Sequence, residues 1–302
     1  MMNTSEQTHE IKQATSSGKK IVACLDGAAQ SQAVCDYAIW IAQTLSAPLM
    51  LLHTIEPAQV PPVADLSGAI GLGASEELLA ELTEVEQSRR QLMIKKGNIM
   101  LQAAKQRAEA QGIEDVETVQ QHGNLAQVLV DLEEQVRVLV MGIRGQDHES
   151  DASGLGSQLE TVIRSLHTPI LVVNTEFSKP NNVMLAYDGS EAADKGLALV
   201  ASSPLFQALP CHLVHIVDAA NAEQDDPILN RAHAQLKASG METKAVSLAG
   251  KMETVLVECQ QQQGIDLMVM GAFSHNRLRK LLLGSLTAKM LEKTQKPVLL
   301  LR

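Results

Sequence analysis

A short basic loop near the C-terminus has the composition of an anion-binding site. The apolar segment 266–270 predicts a buried strand, Gly271 follows it, and Gly284-Ser285 begins a predicted helix. Three basic side chains lie between these two points, and they are Arg277, Arg279 and Lys280. Backbone N–H groups at a helix start have no partner within the helix, and the helix dipole places partial positive charge there. We therefore expect this loop to hold the phosphates of a nucleotide.

Short apolar runs alternate with helical segments along the rest of the chain, which predicts an α/β fold. The runs interpreted as strands are 20–25, 48–54, 116–119, 136–141, 169–173, 183–187, 211–216, 266–270 and 297–301. These runs are apolar almost throughout, which is typical of parallel strands that are covered on both faces. The helical segment at 31–45 has a single apolar stripe, as expected for a helix that packs on such a sheet.

The second half of the chain repeats the first. Matched residues have a constant separation on each side of a single break. Before the break it is 162 positions, for Asp26 with Asp188 and for His53 with His215. After the break it is 129 for Gly142 with Gly271, and 128 for Gly156 with Gly284 and for Pro169 with Pro297. The change from 162 to 129 means that the first half has about 33 extra residues, which is the difference of the two separations. A proline-containing loop and a long helix over about 76–111, broken near Gly97, account for this insertion.

The candidate site residues come at equivalent places in the two halves. Asp26 and Asp188 follow the first strand of each half, and Gly142 and Gly271 follow the fourth. Parallel sheets bind ligands outside the carboxyl ends of their strands, where the strand order reverses. Each half is therefore predicted to bring an aspartate and a glycine together at that edge.

Charge favours the second half as the nucleotide site. Residues 1–176 have 12 Lys and Arg against 23 Asp and Glu, a net charge of −11, whereas residues 177–302 have 13 against 12, a net charge of +1. The first-half loop between Gly145 and Gly156 has no cation and three carboxylates, which are Asp147, Glu149 and Asp151. Repulsion between a phosphate and a close carboxylate costs about 1 kcal/mol per pair even in water.

Composition excludes several classes of protein. The length of 302 residues is comfortable for two domains, and the net charge of −10 with 2% aromatic residues disfavours nucleic-acid binding. No apolar run is long enough for a signal peptide or a membrane helix. The four cysteines are widely spaced, and they are Cys24, Cys35, Cys211 and Cys259. Buried free thiols are expected, which fits a reducing cytoplasm.

The glycine spacing resembles that of the universal stress protein family in its tandem form. The family's signature is Gly, two residues, Gly, nine residues, then Gly-Ser or Gly-Thr. The second half has this spacing with Ser274 in place of the second glycine, between Gly271 and Gly284. The first half has Gly142 and Gly145, but ten residues separate Gly145 from Gly156-Ser157. Each copy thus departs from the signature at one point.

The resemblance implies a fold and an arrangement of domains. It implies two tandem five-stranded parallel sheets, each with strand order 3-2-1-4-5 and helices on both faces. The expected divisions are a polar tail over 1–18, a first domain over 19–176 and a second over 180–302. Fifth strands pair across a dimer in this family, so 169–173 and 297–301 are expected to pair within the chain as an intramolecular pseudo-dimer. A homodimer also remains open.

The resemblance also implies a ligand, ATP or another adenine nucleotide, and the residues that contact it. The aspartate after the first strand meets the nucleoside, the backbone after the second strand meets adenine, and the glycines with the Gly-Ser pair hold ribose and phosphates. In the second domain these residues are Asp188, Ile216, Gly271, Ser274, Arg277, Gly284, Ser285 and Leu286. The weaker first-domain set is Asp26, Thr54, Gly142, Gly145, Gly156 and Ser157.

Structural roles are the alternatives for each of these residues. The glycines could serve only tight turns, the aspartates only turns or helix caps, and the basic residues only a solvated face. The paired residues His53 and His215 are expected to be packed structural histidines. The long helix is expected to be a packing or partner surface.

The leading hypothesis is a cytoplasmic stress-response regulatory protein that binds an adenine nucleotide with little or no catalysis. The sequence has no Walker lysine, no carboxylate pair with metal-ligand spacing and no nucleophile–base motif, so slow ATP hydrolysis is the most that is expected. One alternative is an interaction scaffold without a nucleotide. The other is a nucleotide-dependent ligase or transferase, although the Ser-Gly-Gly or His-x-Gly-His motif usual after the first strand of those enzymes is missing at 26–29.

Overall fold

The computed structural model describes residues 18–56, 72–145, 156–218, 225–272 and 285–302. The strands of the first half are β1 (Lys20–Cys24), β2 (Leu49–Ile55), β3 (Val116–His122), β4 (Val136–Gly142) and β5 (Ile170–Val173). Its helices are α1 (Ser31–Leu45), α2 (Leu72–Ala110), α3 (Leu125–Leu132) and α4 (Ser157–Ser165). The strands of the second half are β6 (Val183–Ala186), β7 (Cys211–Val217), β8 (Thr243–Ala249), β9 (Leu267–Gly271) and β10 (Val298–Leu301). Its helices are α5 (Glu191–Ser202), α6 (Pro227–Ala238), α7 (Met252–Gln262) and α8 (Ser285–Lys293).

The ten strands of the described ranges form one sheet in the order β3-β2-β1-β4-β5-β10-β9-β6-β7-β8. Within each half the pairs are parallel, and the order is the expected 3-2-1-4-5. The register places Ala23 beside Leu51 and Val140, and Leu185 beside Leu213 and Val269. The α/β fold and the duplication are therefore confirmed.

The two five-stranded halves are joined at their fifth strands. β5 and β10 pair antiparallel, with Leu171 opposite Leu299 and Val172 opposite Val298. The expected pairing of the two fifth strands within the chain is confirmed. It covers two apolar edges that would otherwise expose unpaired backbone groups.

Helices cover both faces of the sheet because successive residues of each strand point to opposite sides. One core includes alternate strand residues such as Ile21 and Leu185, and it is covered by α1, α2, α5 and α6. The other includes their neighbours Val22 and Met184, and it is covered by α3, α4, α7 and α8.

The predicted break of the long helix near Gly97 is wrong. Helix α2 runs without interruption over 39 residues. A β-carbon on Gly97 would lie 2.5 Å from His53 Cδ2 and 2.7 Å from Gln120 Nε2, so the glycine allows the helix to approach β2 and β3 closely. A glycine inside a helix destabilises it by about 1 kcal/mol relative to alanine, but at position 97 no larger residue fits against the two strands as they lie.

No helix in the part of the chain that the structure describes is long and apolar enough to cross a bilayer.

Candidate functional site

A pocket lies in the second half where β6, β7 and β9 end. Three of the predicted site residues, Asp188, Ile216 and Gly271, line it together. The other lining residues are Ala186, Tyr187, Ser190, Ala193, Val214, Met252, Leu256, Met270 and Thr287. One wall is therefore apolar, and the polar groups lie on the Asp188 turn and on α8.

The Asp188 turn begins α5. Asp188 Oδ1 accepts a hydrogen bond of 3.0 Å from the Ser190 backbone N–H, and Ser190 Oγ accepts one of 3.2 Å from Ala193 N–H as the helix N-cap. Gly189 between them has a φ of 72°, which favours glycine. The turn role suggested for Asp188 is thus present. Asp188 Oδ2 has no hydrogen-bond partner among the residues that the structure describes.

Gly271 lies at the end of β9 against the first turn of α5. A β-carbon on Gly271 would be 3.1 Å from Ala192 Cβ, which is tighter than ordinary van der Waals contact. The glycine therefore allows the strand end and the Asp188 turn to come together. The two residues that meet between these elements, Gly271 and Ala192, are both small.

Thr287 holds the start of α8 against the strand that precedes the basic loop. Its side chain is buried, and its hydroxyl donates a hydrogen bond of 2.5 Å to the Ala272 carbonyl oxygen. Ala272 N–H in turn donates to Leu301 O at 2.7 Å. Both ends of the loop are therefore anchored at the same edge of the sheet.

The remaining second-half predictions lie beyond what the structure describes. Ser274, Arg277 and Gly284 are outside the described residues. Ser285 and Leu286 belong to the first turn of α8, but their side chains are also outside the description.

Sequence reasoning missed several residues of the pocket. Thr287 and Met252 could have been found from position alone, since each follows a Gly-Ser or Gly-Lys pair that begins a helix after a strand. The neighbouring Leu256 follows Met252 by one helical turn. Apolar residues such as Val214 and Met270 carry no local signal that separates them from the core.

The first half also brings its predicted residues together. A β-carbon on Gly145 would lie 3.3 Å from Asp26 Oδ2, and one on Gly156 would lie 3.5 Å from Gly145 N. Asp26 Oδ1 accepts hydrogen bonds of 2.9 Å from Ala28 N–H and from the Ser31 hydroxyl. The turn role expected as an alternative for Asp26 is thus present too.

The other two first-half predictions lie at element ends. Thr54 is half-buried near the carboxyl end of β2, opposite Gln121 of β3. Ser157 begins α4 after Gly156, and its side chain is not among those described.

A glutamine side chain occupies the space beside Gly142. Gln30 Oε1 would be 3.1 Å from a β-carbon on Gly142, and this oxygen is buried without a hydrogen-bond partner among the described residues. Gln30 precedes Ala192 by 162 positions, the separation of the two aspartates, so the two residues are equivalent. The second half has only a methyl group where the first half has an amide.

Helix α2 brings a cation to the first-half turn. A β-carbon on Gly27 would lie 3.8 Å from Lys96 Nζ and 3.5 Å from Met100 Sδ. Gly189 is the second-half equivalent of Gly27, and its neighbour is apolar. A β-carbon on Gly189 would lie 3.1 Å from Ile228 Cγ2. Local sequence carries no signal for this contact, since Lys96 is far from Gly27 along the chain.

Tyr187, next to Asp188, holds α5 and α6 together beneath the pocket. Its hydroxyl donates to Asp194 Oδ1 at 2.5 Å and accepts from Arg231 Nη2 at 3.1 Å. Burial, and then the hydrogen bond to Asp194, raise the pKa of Tyr187 above its usual value. The phenol is therefore neutral at physiological pH and acts as a structural donor.

No group of His, Cys, Asp or Glu in the described ranges is arranged to hold a metal ion. All four cysteines are described and are free thiols. Burial, and then the charge of Asp36, raise the pKa of Cys35 to about 12, and burial raises the pKa of Cys211 to about 12. These two thiols are therefore protonated and unreactive in the folded protein.

Comparison with known proteins identifies the family. The model of the universal stress protein family matches residues 18–174 and again residues 180–302. Universal stress protein Slr1230 of Synechocystis is 35% identical over 286 residues, which cover 94% of this chain and all of that protein. Universal stress protein MJ0577 of Methanocaldococcus jannaschii is 29% identical over 68 residues, which cover 22% of this chain and 42% of that protein.

A solved structure agrees over the same extent. The crystal structure of a universal stress protein from Archaeoglobus fulgidus has a TM-score of 0.70 at 18% identity, covering 94% of this chain and 98% of that one. At this identity the likeness shows the fold alone. Both halves match the family model, and the fold agrees along nearly the whole chain. The chain belongs to the universal stress protein family, with two tandem copies of the family's domain.

Proposed function

We propose that this chain is a cytoplasmic stress-response regulatory protein that binds ATP or another adenine nucleotide in the second-half pocket. The observation that supports this most is the convergence of Asp188, Ile216 and Gly271 on one pocket at the carboxyl edge of the sheet. Asp188 follows β6, Ile216 lies in β7 and Gly271 ends β9. The sequence pattern predicts that Asp188 and Gly271 meet at this edge, and the family resemblance adds Ile216. They are contributed by the half of the chain whose loop is basic.

The residues present suit the parts of an adenine nucleotide. The apolar wall of Val214, Ile216 and Met252 offers a surface for a planar base. Asp188 Oδ2 is available to accept hydrogen bonds from ribose hydroxyl groups. Arg277 and the backbone N–H groups at the start of α8 would meet the phosphates.

The asymmetry between the halves supports assigning the ligand to the second domain. In the first half, the Gln30 amide lies beside Gly142, and helix α2 packs over the Gly27 turn. The second half has Ala192 in the place of Gln30. We therefore propose that the first domain, over 19–176, serves as the structural partner of the second, over 180–302.

We further propose that the protein senses its nucleotide and turns it over slowly or not at all. The chain has no Walker lysine to contact the β- and γ-phosphates. The polar side chains on the pocket each bond to the backbone: Asp188 and Ser190 accept hydrogen bonds from backbone N–H groups, and Thr287 donates one to a carbonyl oxygen. They do not form a pair of nucleophile and base.

Calorimetric titration of the full chain with ATP, ADP and AMP tests the proposal. The variant Ala192→Gln places in the second half the side chain that the first half has as Gln30, and it should weaken binding at least tenfold. The matched control is Ala198→Gln, an exposed position on the same helix, which should bind as the unaltered chain does. Failure of the unaltered chain to bind any adenine nucleotide at millimolar concentration would refute the proposal, and so would unchanged affinity in Ala192→Gln.

A further inference from the structure

A stretch of helix α2 before Gly97 is exposed on all sides. Every residue from 81 to 93 is exposed, whereas the buried residues of the helix begin at Gly97 and continue with Leu101, Ala104 and Ala108. At a rise of about 1.5 Å per residue, the exposed segment extends about 20 Å beyond the packed part. We call residues 81–99, which comprise this exposed stretch and the beginning of the packed part, the projecting segment.

The projecting segment presents an apolar stripe to solvent. Leu82, Val85, Leu92 and Ile99 are 49%, 65%, 65% and 71% exposed, and their spacing of three and seven residues places them on one helix face. Together with Met93, they are five of the nine large apolar side chains that are exposed in the described chain. Such a concentration is typical of a surface that binds a partner.

An exposed helix of this kind also gains little stability from its own residues. Isolated helices are marginal in water, and helices in proteins derive most of their stability from packing an apolar face. Within the described chain, the apolar face over 81–93 packs against nothing. Pairing with another helix would supply the missing contacts, and the spacing of Leu82, Val85 and Leu92 is that of a coiled-coil seam.

The charges of the segment are divided by sign along its length. Its acidic end has three carboxylates, which are Glu81, Glu84 and Glu86. Its basic end has four cations, which are Arg89, Arg90, Lys95 and Lys96. A parallel pair of such helices would place like charges together, whereas an antiparallel pair would place each acidic end beside a basic end. Charge along a helix flank sets partner choice and orientation in this way.

We propose that two copies of this chain associate through antiparallel pairing of the projecting segment. A two-fold axis near Gln87 sets Leu82 of each copy opposite Leu92 of the other and Val85 opposite Arg89. Arg89 then lies beside the second copy's Glu84 and Glu86, and its long stem covers the apolar stripe. An interface of this type is isologous, so it closes with two copies and leaves no free end.

Sedimentation equilibrium of the full chain tests the association. We expect the unaltered chain to be a dimer. The double variant Leu82→Glu/Leu92→Glu should be a monomer that is still folded, as judged by circular dichroism of the whole chain. The matched control is Val130→Glu, which alters an exposed apolar residue on α3 and should remain a dimer. A monomeric unaltered chain would overturn the proposal, and so would a dimer that persists in the double variant.

Charge reversal tests the orientation. Changing Glu81, Glu84 and Glu86 to Lys should give a monomer, and so should changing Arg89, Arg90 and Lys95 to Glu. Both reversals in one chain should restore the dimer, because each reversed end again faces its opposite in an antiparallel pair. A sixfold variant that stays monomeric while its helix content is unchanged would overturn the antiparallel arrangement.

Discussion

The imidazole Nδ1 of His215 lies 2.7 Å from Asp226 Oδ2, which ties the carboxyl end of β7 to the start of α6. The hydroxyl of Ser247 on β8 donates to the same oxygen at 2.6 Å. Asp226 Oδ1 accepts a bond of 3.0 Å from Leu229 N–H, so this carboxylate is also the N-cap of α6. One side chain thus joins two strands to one helix.

The first half uses the same two strand positions differently. His53 is equivalent to His215, and Gln120 is equivalent to Ser247. These two side chains pack against Gly97 in the middle of α2, and His53 Nδ1 bonds to the Leu25 carbonyl oxygen at 2.7 Å. The packed structural role expected for both histidines is therefore the one observed.

Replacing Asp226 with alanine should destabilise the second half. The change removes a helix cap worth about 0.5–2 kcal/mol and leaves His215 and Ser247 without their shared acceptor. We expect a loss of about 1–3 kcal/mol in the free energy of unfolding, measured by urea denaturation. The control is Asp225→Ala, an exposed neighbour that accepts a hydrogen bond from Asn230 Nδ2 and should cost less than half as much.

The Asp226 contribution should also depend on pH. Burial opposes ionisation of this carboxyl, but hydrogen bonds from Leu229 N–H, Ser247 and His215 prevail and lower its pKa below the usual value. A lowered pKa in the folded state means that the stabilisation is present above the unfolded pKa and is lost as the pH falls through the folded one. The stability difference between the unaltered chain and Asp226→Asn should therefore shrink below about pH 4. A difference that is constant down to about pH 2 would contradict this assignment.

Replacing Gly97 with alanine should destabilise the first half although alanine favours helix. The added β-carbon would lie 2.5 Å from His53 Cδ2, so either this ring, which is hydrogen-bonded to the Leu25 carbonyl oxygen, or α2 must shift. Overpacking of this kind costs about 1–3 kcal/mol against a gain in helix propensity of about 1 kcal/mol, so the net loss should be up to about 2 kcal/mol. Asn98→Ala, at the exposed neighbouring position, should be neutral or slightly stabilising in the same urea titration.

The ion pair between Arg107 and Asp36 should stabilise the packing of α2 on α1. Arg107 Nε and Nη2 donate to the two Asp36 oxygens at 2.5 and 2.8 Å, and Asp36 is only 8% exposed. Arg107→Met leaves a buried carboxylate without its partner and should cost about 1–3 kcal/mol, the usual penalty for a buried polar group that is left unsatisfied. The double variant Arg107→Met/Asp36→Leu should recover most of this loss, since no buried charge then remains. Equal destabilisation in both variants would show that arginine packing, and not the charge pair, is responsible.

Reversing Arg277 and Arg279 to glutamate should weaken nucleotide binding without unfolding the protein. Each reversal removes an attraction and adds a repulsion of about 1 kcal/mol for groups near a phosphate in water, so the pair should lower affinity at least tenfold. The control is Lys237→Glu/Lys244→Glu, which makes the same change in net charge at exposed positions away from the pocket. Unchanged affinity of the arginine variant in calorimetry would eliminate these residues from the site.

The meeting of Asp188 and Gly271 in the candidate pocket could be predicted because it depends on strand ends. Asp188 and Gly271 are 83 residues apart, but the carboxyl ends of parallel strands meet at one edge wherever the intervening chain goes. The difference between the halves could not be predicted in the same way. That Gln30 lies beside Gly142, and Lys96 beside Gly27, depends on how helices rest on the sheet, which local periodicity does not specify.

The sequence by itself determined the α/β class and the duplication, because hydrophobic periodicity and repeated spacing are properties of the chain read in order. The strand order within each half was expected from the resemblance to the universal stress protein family. The pairing of β5 with β10 was implied by the same resemblance, and the structure confirms it. Only the tertiary structure decided that α2 passes Gly97 without a break and that Gln30 lies beside Gly142. These features depend on contacts between residues far apart in the chain, and the shapes of the two surfaces that meet determine such contacts.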